Sequence, residues 1–297
     1  MQQKITPNLW FDHNAEEAVE FYTSIFPNSK IIAQSNYPTE DLADFQKEFA
    51  GKVLTIEFEL NGYHFMAINA GPDFKPNASV SFMINFDPSF DEDAERHLNE
   101  VWDTLSEDGE VLMQLDEYPY SKRYGWVKDK YNVSWQLMLT DPKGEPRPYV
   151  IPSLMFMGAN NNRAEEAMLY YQSVFGDTRQ GVISRYEDDT GPAAKGSIMF
   201  ADFTLAGQWF AIMDSGVEHN FTFNEGISLS VACKDQAEID ALWDELSTVP
   251  EAEQCGWCKD KFGLSWQIVP DNIDELMEKP GAFAKMSEMK KLVIAEF

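Results

Sequence analysis

The chain has 297 residues, room for about two domains that each bury a core. Hydrophobic residues at 44% and aromatics at 13% belong to a folded globular protein rather than a disordered one. A formal net charge of −27 repels nucleic-acid phosphates and anionic membrane surfaces, which argues against both as partners.

No run of about 18 apolar residues exists to span a membrane, and the first residues carry no basic stretch followed by an apolar core. Three cysteines, all in the second half, make no disulfide framework. A cytoplasmic location is expected.

Residues 4–11 read as a short strand. Asn14 is placed to cap the following helix, whose apolar stripe is Ala18, Phe21, Tyr22 and Ile25 and which Pro27 and Asn28 stop. A strand at 30–37 follows, then a polar stretch from Pro38 to Gly51 with room for a helical turn. Residues 53–60 alternate, with Val53, Thr55, Glu57 and Glu59 on one face. Asn61-Gly62 is a preferred hairpin dipeptide, and 63–69 returns as the partner strand. The same order then recurs: a strand at 80–86, a helix over Pro88 to Leu105, and three strands ending in 134–139.

A proline-rich tether leads into a second half that retraces the first. The segment AEEAMLYYQSVF answers AEEAVEFYTSIF, and CGWCKDKFGLSWQIVP (255–270) answers YGWVKDKYNVSWQLML (124–139). Four βαβββ modules in two pairs are therefore expected, in the α+β class, each pair forming an eight-stranded curved open sheet with a concave ligand cleft. The domains are read as 1–143 and 150–297, joined by a linker at 144–149. Residues 272–297 read as a helical tail packing back through Phe283, Met286 and Met289.

At NLWFDHNAEEAVEFYTSIFPNSK, and at both Gly-Trp-x-Lys-Asp-Lys…Ser-Trp-Gln segments, the chain resembles the PhnB-like family, also called 3-demethylubiquinone-9 3-methyltransferase-like. That family sits in the vicinal oxygen chelate superfamily with the glyoxalases and extradiol dioxygenases. The resemblance implies tandem glyoxalase-like domains. It also implies a divalent metal held by His and Glu side chains on facing strands. At the corresponding positions this sequence offers Asn8 and Ser153 on the opening strands, Met66 and Ile212 on the fourth, Ser81 and Ser228 on the fifth, and Gln136 and Gln267 on the last. Neutral amides and hydroxyls are poor donors for a transition metal. No metal site and no other cofactor is expected. The methyltransferase label finds no glycine-rich strand-loop-helix to support it.

Among the four histidines only His13, beside Asp12, lies near the mouth of a first strand. Cys255 and Cys258 form a CxxC, but Tyr124 and Val127 hold those places in the first half, and two ordinary thiols are the simpler reading. Trp126 and Trp257 are expected in the cleft walls. Trp135 and Gln136 alternate along a strand, so only one of them lines the cleft, and the glutamines are preferred. Trp10 and Phe11 likewise face opposite ways.

The functional reading is a small-molecule-binding protein of this superfamily without the usual metal. The alternative is a lyase, isomerase or dioxygenase using displaced metal ligands or a carboxylate base such as Asp12. An unknown small molecule is the expected partner. A pseudo-dimer within one chain, with strand exchange between its halves left open, or a homodimer is the expected assembly.

Overall fold

The computed structural model describes residues 3–40, 42 and 44–297. Met1 and Gln2, at the start of the segment read for a secretory signal, lie outside these, as do Asp41 and Ala43 in the polar stretch after Pro38. That stretch forms a 3₁₀ turn at Asp44–Phe49. No helix among the described residues is long and apolar enough to cross a membrane.

The first module runs β1 (Ile5–Phe11), α1 (Ala15–Ile25), β2 (Lys30–Asn36), β3 (Val53–Leu60) and β4 (Tyr63–Asn69). The second runs β5 (Val80–Phe86), α2 (Ala94–Ser106), β6 (Glu110–Tyr118), β7 (Ser121–Lys128) and β8 (Ser134–Leu139). The third comprises β9 (Val150–Phe156), α3 (Ala164–Phe175), β10 (Gln180–Arg185), β11 (Ile198–Leu205) and β12 (Gln208–Asp214). The fourth comprises β13 (Ile227–Cys233), α4 (Gln236–Leu246), β14 (Trp257–Lys259) and β15 (Ser265–Pro270), followed by α5 (Ile273–Met277) and α6 (Ala282–Glu288).

The modules are the α+β units expected, but they pair across the halves. One sheet has the order β14-β15-β13-β1-β4-β3-β2 and joins the first module to the fourth. The other, β10-β11-β12-β9-β5-β8-β7-β6, joins the second to the third. The seams are antiparallel, from Ile5↔Val231 to Leu9↔Ile227 in one sheet and from Val80↔Leu154 to Ile84↔Val150 in the other. A short connection from β8 sets β9 directly beside β5. The first and fourth modules are left to close on each other.

Both sheets turn the same kind of face inward. Leu9, Phe58, Phe65, Phe82, Trp135, Phe156 and Trp266 join one core with the helices. The Phe65 and Phe82 rings, 4.9 Å apart, connect the two sheets directly. The opposite faces are concave, and each carries one residue in two along its strands.

Three local expectations are corrected. Asn14 stands at the start of α1 but makes no side-chain cap. Instead Asn69 Oδ1, at the end of β4, accepts from Ala15 N at 3.0 Å, and Asp214 does the same for Ala164 in α3. The second helix begins at Ala94 rather than Pro88, because Asp87 and Asp91 bind the amides of Ser89 and Asp93 in turns before it. One sheet has seven strands instead of eight. Where the fourth module should supply another strand, Pro250 opens a 3₁₀ turn, and the tail carbonyls of Met289 and Lys290 accept from Cys255 N and Gly256 N. Phe283, Met286 and Met289 do pack back as expected, Phe283 against Tyr37 at 6.0 Å between centroids.

Candidate functional site

The repeated Lys-Asp-Lys…Ser-Trp-Gln segment divides its work between the two faces of its sheet. Asp129 and Asp260 are buried, not surface turn charges. Asp129 accepts from Tyr22 Oη (2.8 Å), Trp135 Nε1 (2.8 Å) and the amides of Tyr131 (2.8 Å) and Val133 (3.0 Å). Asp260 accepts from Tyr171, Trp266, Phe262 and Leu264 in the same way. Each aspartate thus ties the helix of one sheet to the last hairpin of the other. Burial pushes the Asp129 carboxyl up to about 6, against the hydrogen bonds that favour its ionised form, and raises Asp260 as well. Trp135 and Trp266 are core residues, while Gln136 and Gln267 point to the concave faces.

The expected site residues fall into two groups and one remainder. On the eight-stranded sheet, Ser81 pairs across strands with both Ser134 and Ser153, and Gln136 pairs with Trp126. Tyr124 Oη donates to Gln136 Oε1 at 2.7 Å, and Gln136 Nε2 donates to Ser81 Oγ at 2.8 Å. Trp126 Nε1 donates to Ser134 Oγ at 2.7 Å. The amide that was expected to want a ligand is therefore satisfied within the protein. Met155, Met213, Met138 and Phe221 crowd this face. One end is closed by the linker, where Arg147 lies 3.9 Å from the Trp209 ring and binds Asp202 at 2.6 Å.

On the seven-stranded sheet, Asn8 pairs with Ser228 and with Met66, and Gln267 with Trp257 and Ser230. Gln267 Nε2 donates to Ser228 Oγ at 2.9 Å. Cys255 replaces Tyr124, so Gln267 Oε1 has no matching phenol. The Trp10 and Trp257 rings meet at 5.9 Å although β15 and β13 lie between their strands, a measure of how far this sheet curls. Phe74 adds an edge-to-face contact with Trp10 at 5.1 Å. Met66, Glu57, Trp10 and Trp257 all remain partly exposed on this face.

Asn8 and Ser153 occupy equivalent positions on the two opening strands. Both are buried, at 2% and 0% exposure, and neither Asn8 Oδ1 nor Ser153 Oγ has a hydrogen-bond partner. A buried polar atom left unpaired costs about 1–3 kcal/mol, so each marks a place where a bound group would be stabilised.

Asp12 and His13 stand apart from both groups. They lie exposed in the turn after β1, where His13 has φ 61° and stacks on Phe49 at 4.5 Å. A crevice of about 350 Å³ opens there between His13, Glu16, Asn36, Lys52 and Asn69. Cys255 sits in the turn before β14 and Cys258 on it, with burial raising both thiols, Cys258 to about 12. They are not activated nucleophiles.

Sequence reasoning missed Glu57. Its half-buried carboxylate lies on the concave face of the seven-stranded sheet beside Met66 and makes no hydrogen bond or ion pair. Burial and Asp274 of the tail raise its pKa, and His64 lowers it. The strand alternation placed Glu57 on one face with Glu59, and that charged pair in a hairpin was the available signal.

The metal positions of the glyoxalase pattern carry Asn8, Met66, Ser228 and Gln267 on one face. On the other they carry Ser153, Ala211, Ser81 and Gln136. The register puts Ala211, not Ile212, opposite Ser153. Among the described residues no three His, Cys, Asp or Glu side chains gather as a metal site. Amide, hydroxyl, thioether and methyl groups do not fit a divalent transition metal.

The sequence matches the family described as 3-demethylubiquinone-9 3-methyltransferase over residues 3–138 and 148–269. The chain belongs to this family. Solved structures similar to it include the putative 3-demethylubiquinone-9 3-methyltransferase, PhnB protein, from Bacillus cereus. That match has 38% identity over 46% of this chain and 100% of the other, with a TM-score of 0.40. Glyoxalase I from Zea mays matches 96% of this chain and 96% of its own at 12% identity and a TM-score of 0.54, which shows a shared fold. No curated protein matches. The family name speaks of methyl transfer, yet both sheets of this 3-demethylubiquinone-9 3-methyltransferase family member mix parallel and antiparallel pairs. Neither is the parallel α/β sheet with a glycine-rich loop that usually binds S-adenosylmethionine.

Proposed function

We propose that the protein binds a small organic molecule on the concave face of the seven-stranded sheet, without the metal centre usual in glyoxalase-like proteins. The observation that carries this reading is Asn8, buried and without a hydrogen bond, beside the Ser228–Gln267 pair and the Trp10–Trp257 wall. A ligand would complete the polar groups and cover the indoles, and tryptophan is a frequent anchor of binding energy. The eight-stranded face, whose glutamine is already bonded to Tyr124 and Ser81, is read as the lesser site even though Ser153 there is also unpaired.

A second reading rests on Glu57. A half-buried carboxyl of raised pKa in a cleft suits a general base, so proton abstraction from a bound substrate is the enzymatic alternative.

A thermal-shift screen of small organic molecules tests the first reading. Stabilisation by a hit is expected to disappear in Trp257→Ala and weaken in Asn8→Ala, while Gln136→Leu leaves it unchanged. Loss in Gln136→Leu alone would move the site to the eight-stranded sheet. Metal analysis of protein purified without chelators or a histidine tag is expected to find no stoichiometric zinc, nickel, manganese or iron, and finding any would restore a metal-dependent chemistry.

A further inference from the structure

The concave face of the seven-stranded sheet is uneven in its unmet hydrogen-bonding groups. Asn8 Oδ1 is buried without a donor. Gln267 uses its Nε2 on Ser228 and leaves its carbonyl oxygen free. Glu57 carries a carboxylate with no partner, and Asp274 of the tail lies close enough to repel it. Register aligns these groups: Asn8 sits opposite Met66, and Met66 opposite Glu57, so the amide and the carboxylate flank one methionine. Two strand spacings put their backbones about 10 Å apart. At the neighbouring row Trp10 meets Trp257 and Phe74, forming an aromatic wall.

Beyond that wall Lys259 is bound to Glu225 at 2.8 Å, so the nearby ammonium is already neutralised, and Glu225 Oε2 is itself buried without a donor. The atoms left without a donor on this face are thus acceptors, one of them the unpaired carboxylate of Glu57, beside partly exposed indole rings. The large negative charge of the whole chain biases the local potential in the same direction.

We infer that the concave face of the seven-stranded sheet takes a planar, N–H-donating organic cation, of the amidinium or protonated heteroaromatic amine class. Its ring lies against Trp10 and Trp257 and its charged end is directed to Asn8 and Glu57. Such a ligand gives up N–H donors to every unpaired acceptor it reaches, and its charge is stabilised by both the carboxylate and the indole faces. An anion would face both Glu57 and Asp274. The assignment rests on the binding reading above and adds the charge of the ligand to it.

Three molecules of nearly equal shape make the test: benzamidine as cation, benzamide as neutral amide and benzoate as anion. Their dissociation constants are measured by tryptophan fluorescence and calorimetry at near-physiological salt, where non-specific attraction is screened. Benzamidine is expected to bind about tenfold or more tightly than benzamide, with benzoate the weakest. Glu57→Gln should remove the preference for benzamidine while leaving benzamide binding in place. Glu100→Gln, a remote helix-surface change, should leave the preference intact. Trp257→Ala should weaken all three.

Binding of all three with equal strength, lost in Trp257→Ala, would overturn the cationic assignment and keep the cleft. A preference that persists in Glu57→Gln would also overturn it, as attraction to net charge alone. Absence of any Trp257-dependent binding would overturn both the assignment and the site.

Discussion

Asp129 and Asp260 show how a charged residue in a repeated motif can serve packing rather than chemistry. Four donors converge on each, two of them side chains from different elements, and both are buried. Asp129→Ala would leave two side-chain and two backbone donors buried without an acceptor. A loss of about 3 kcal/mol or more in urea unfolding is expected, against about 1 kcal/mol for Tyr22→Phe, which removes a single donor. The raised carboxyls also set a pH dependence. A folded pKa of about 6 lies above the ordinary aspartate value, so the folded state binds the proton more tightly. This contribution is fully present below the ordinary carboxylate range and is lost as pH rises through about 6. The melting temperature should therefore rise from pH 7 to pH 5, and Asp129→Asn should flatten that rise. Surface carboxylates with lowered pKa, such as Glu110 beside Lys128, act in the opposite sense only at lower pH. The motif was legible as a repeat, but the partners of its aspartate were not. Tyr22 lies more than a hundred residues away in sequence, and no local pattern announces that contact.

Within the elements, Gly125 lets α2 pack tightly on its sheet. A Cβ there would lie 2.5 Å from the Trp102 ring and 3.0 Å from Leu115 Cα. Gly125→Ala is expected to cost about 1–3 kcal/mol by overpacking, measured as a lower urea midpoint with an unchanged slope. The matching Gly256 is needed for a different reason, a positive φ of 85° in the turn before β14. The tail compensates for the missing eighth strand. Leu292 and Met289 are buried on the body, and two tail carbonyls take the amides a strand would have bonded. Truncation after Pro270 should lower the melting temperature and expose a surface that binds a hydrophobic dye. It should also drop the pKa of Glu57 by removing Asp274, readable in side-chain carboxyl NMR titration. Helices and hairpins were legible because period and turn residues are local. The lost strand was not, since only the tail's position shows what replaces it.

At the scale of the molecule, the halves that repeat in sequence are not the halves that share a sheet. Each sheet needs one module from before the linker and one from after it. Cutting the chain between residues 143 and 150 should yield fragments that do not persist as folded monomers, because β1 and β5 would each lose an antiparallel neighbour. Co-expressed fragments should recover a one-to-one complex with the melting behaviour of the intact chain, read by light scattering and calorimetry. Two independently stable fragment monomers would contradict the exchanged arrangement. The sequence by itself determined the α+β class, the four modules, the family and the alternation that sets Trp135 and Gln136 on opposite faces, because alternation and repeats are properties of neighbouring residues. Only the tertiary structure decided that Asn8 and Trp10 meet Ser228, Trp257 and Gln267, and that Asp12 and His13 stand outside. Those outcomes depend on which strands pair across more than two hundred residues, and strand pairing is set by the packing of the whole molecule around its shared core.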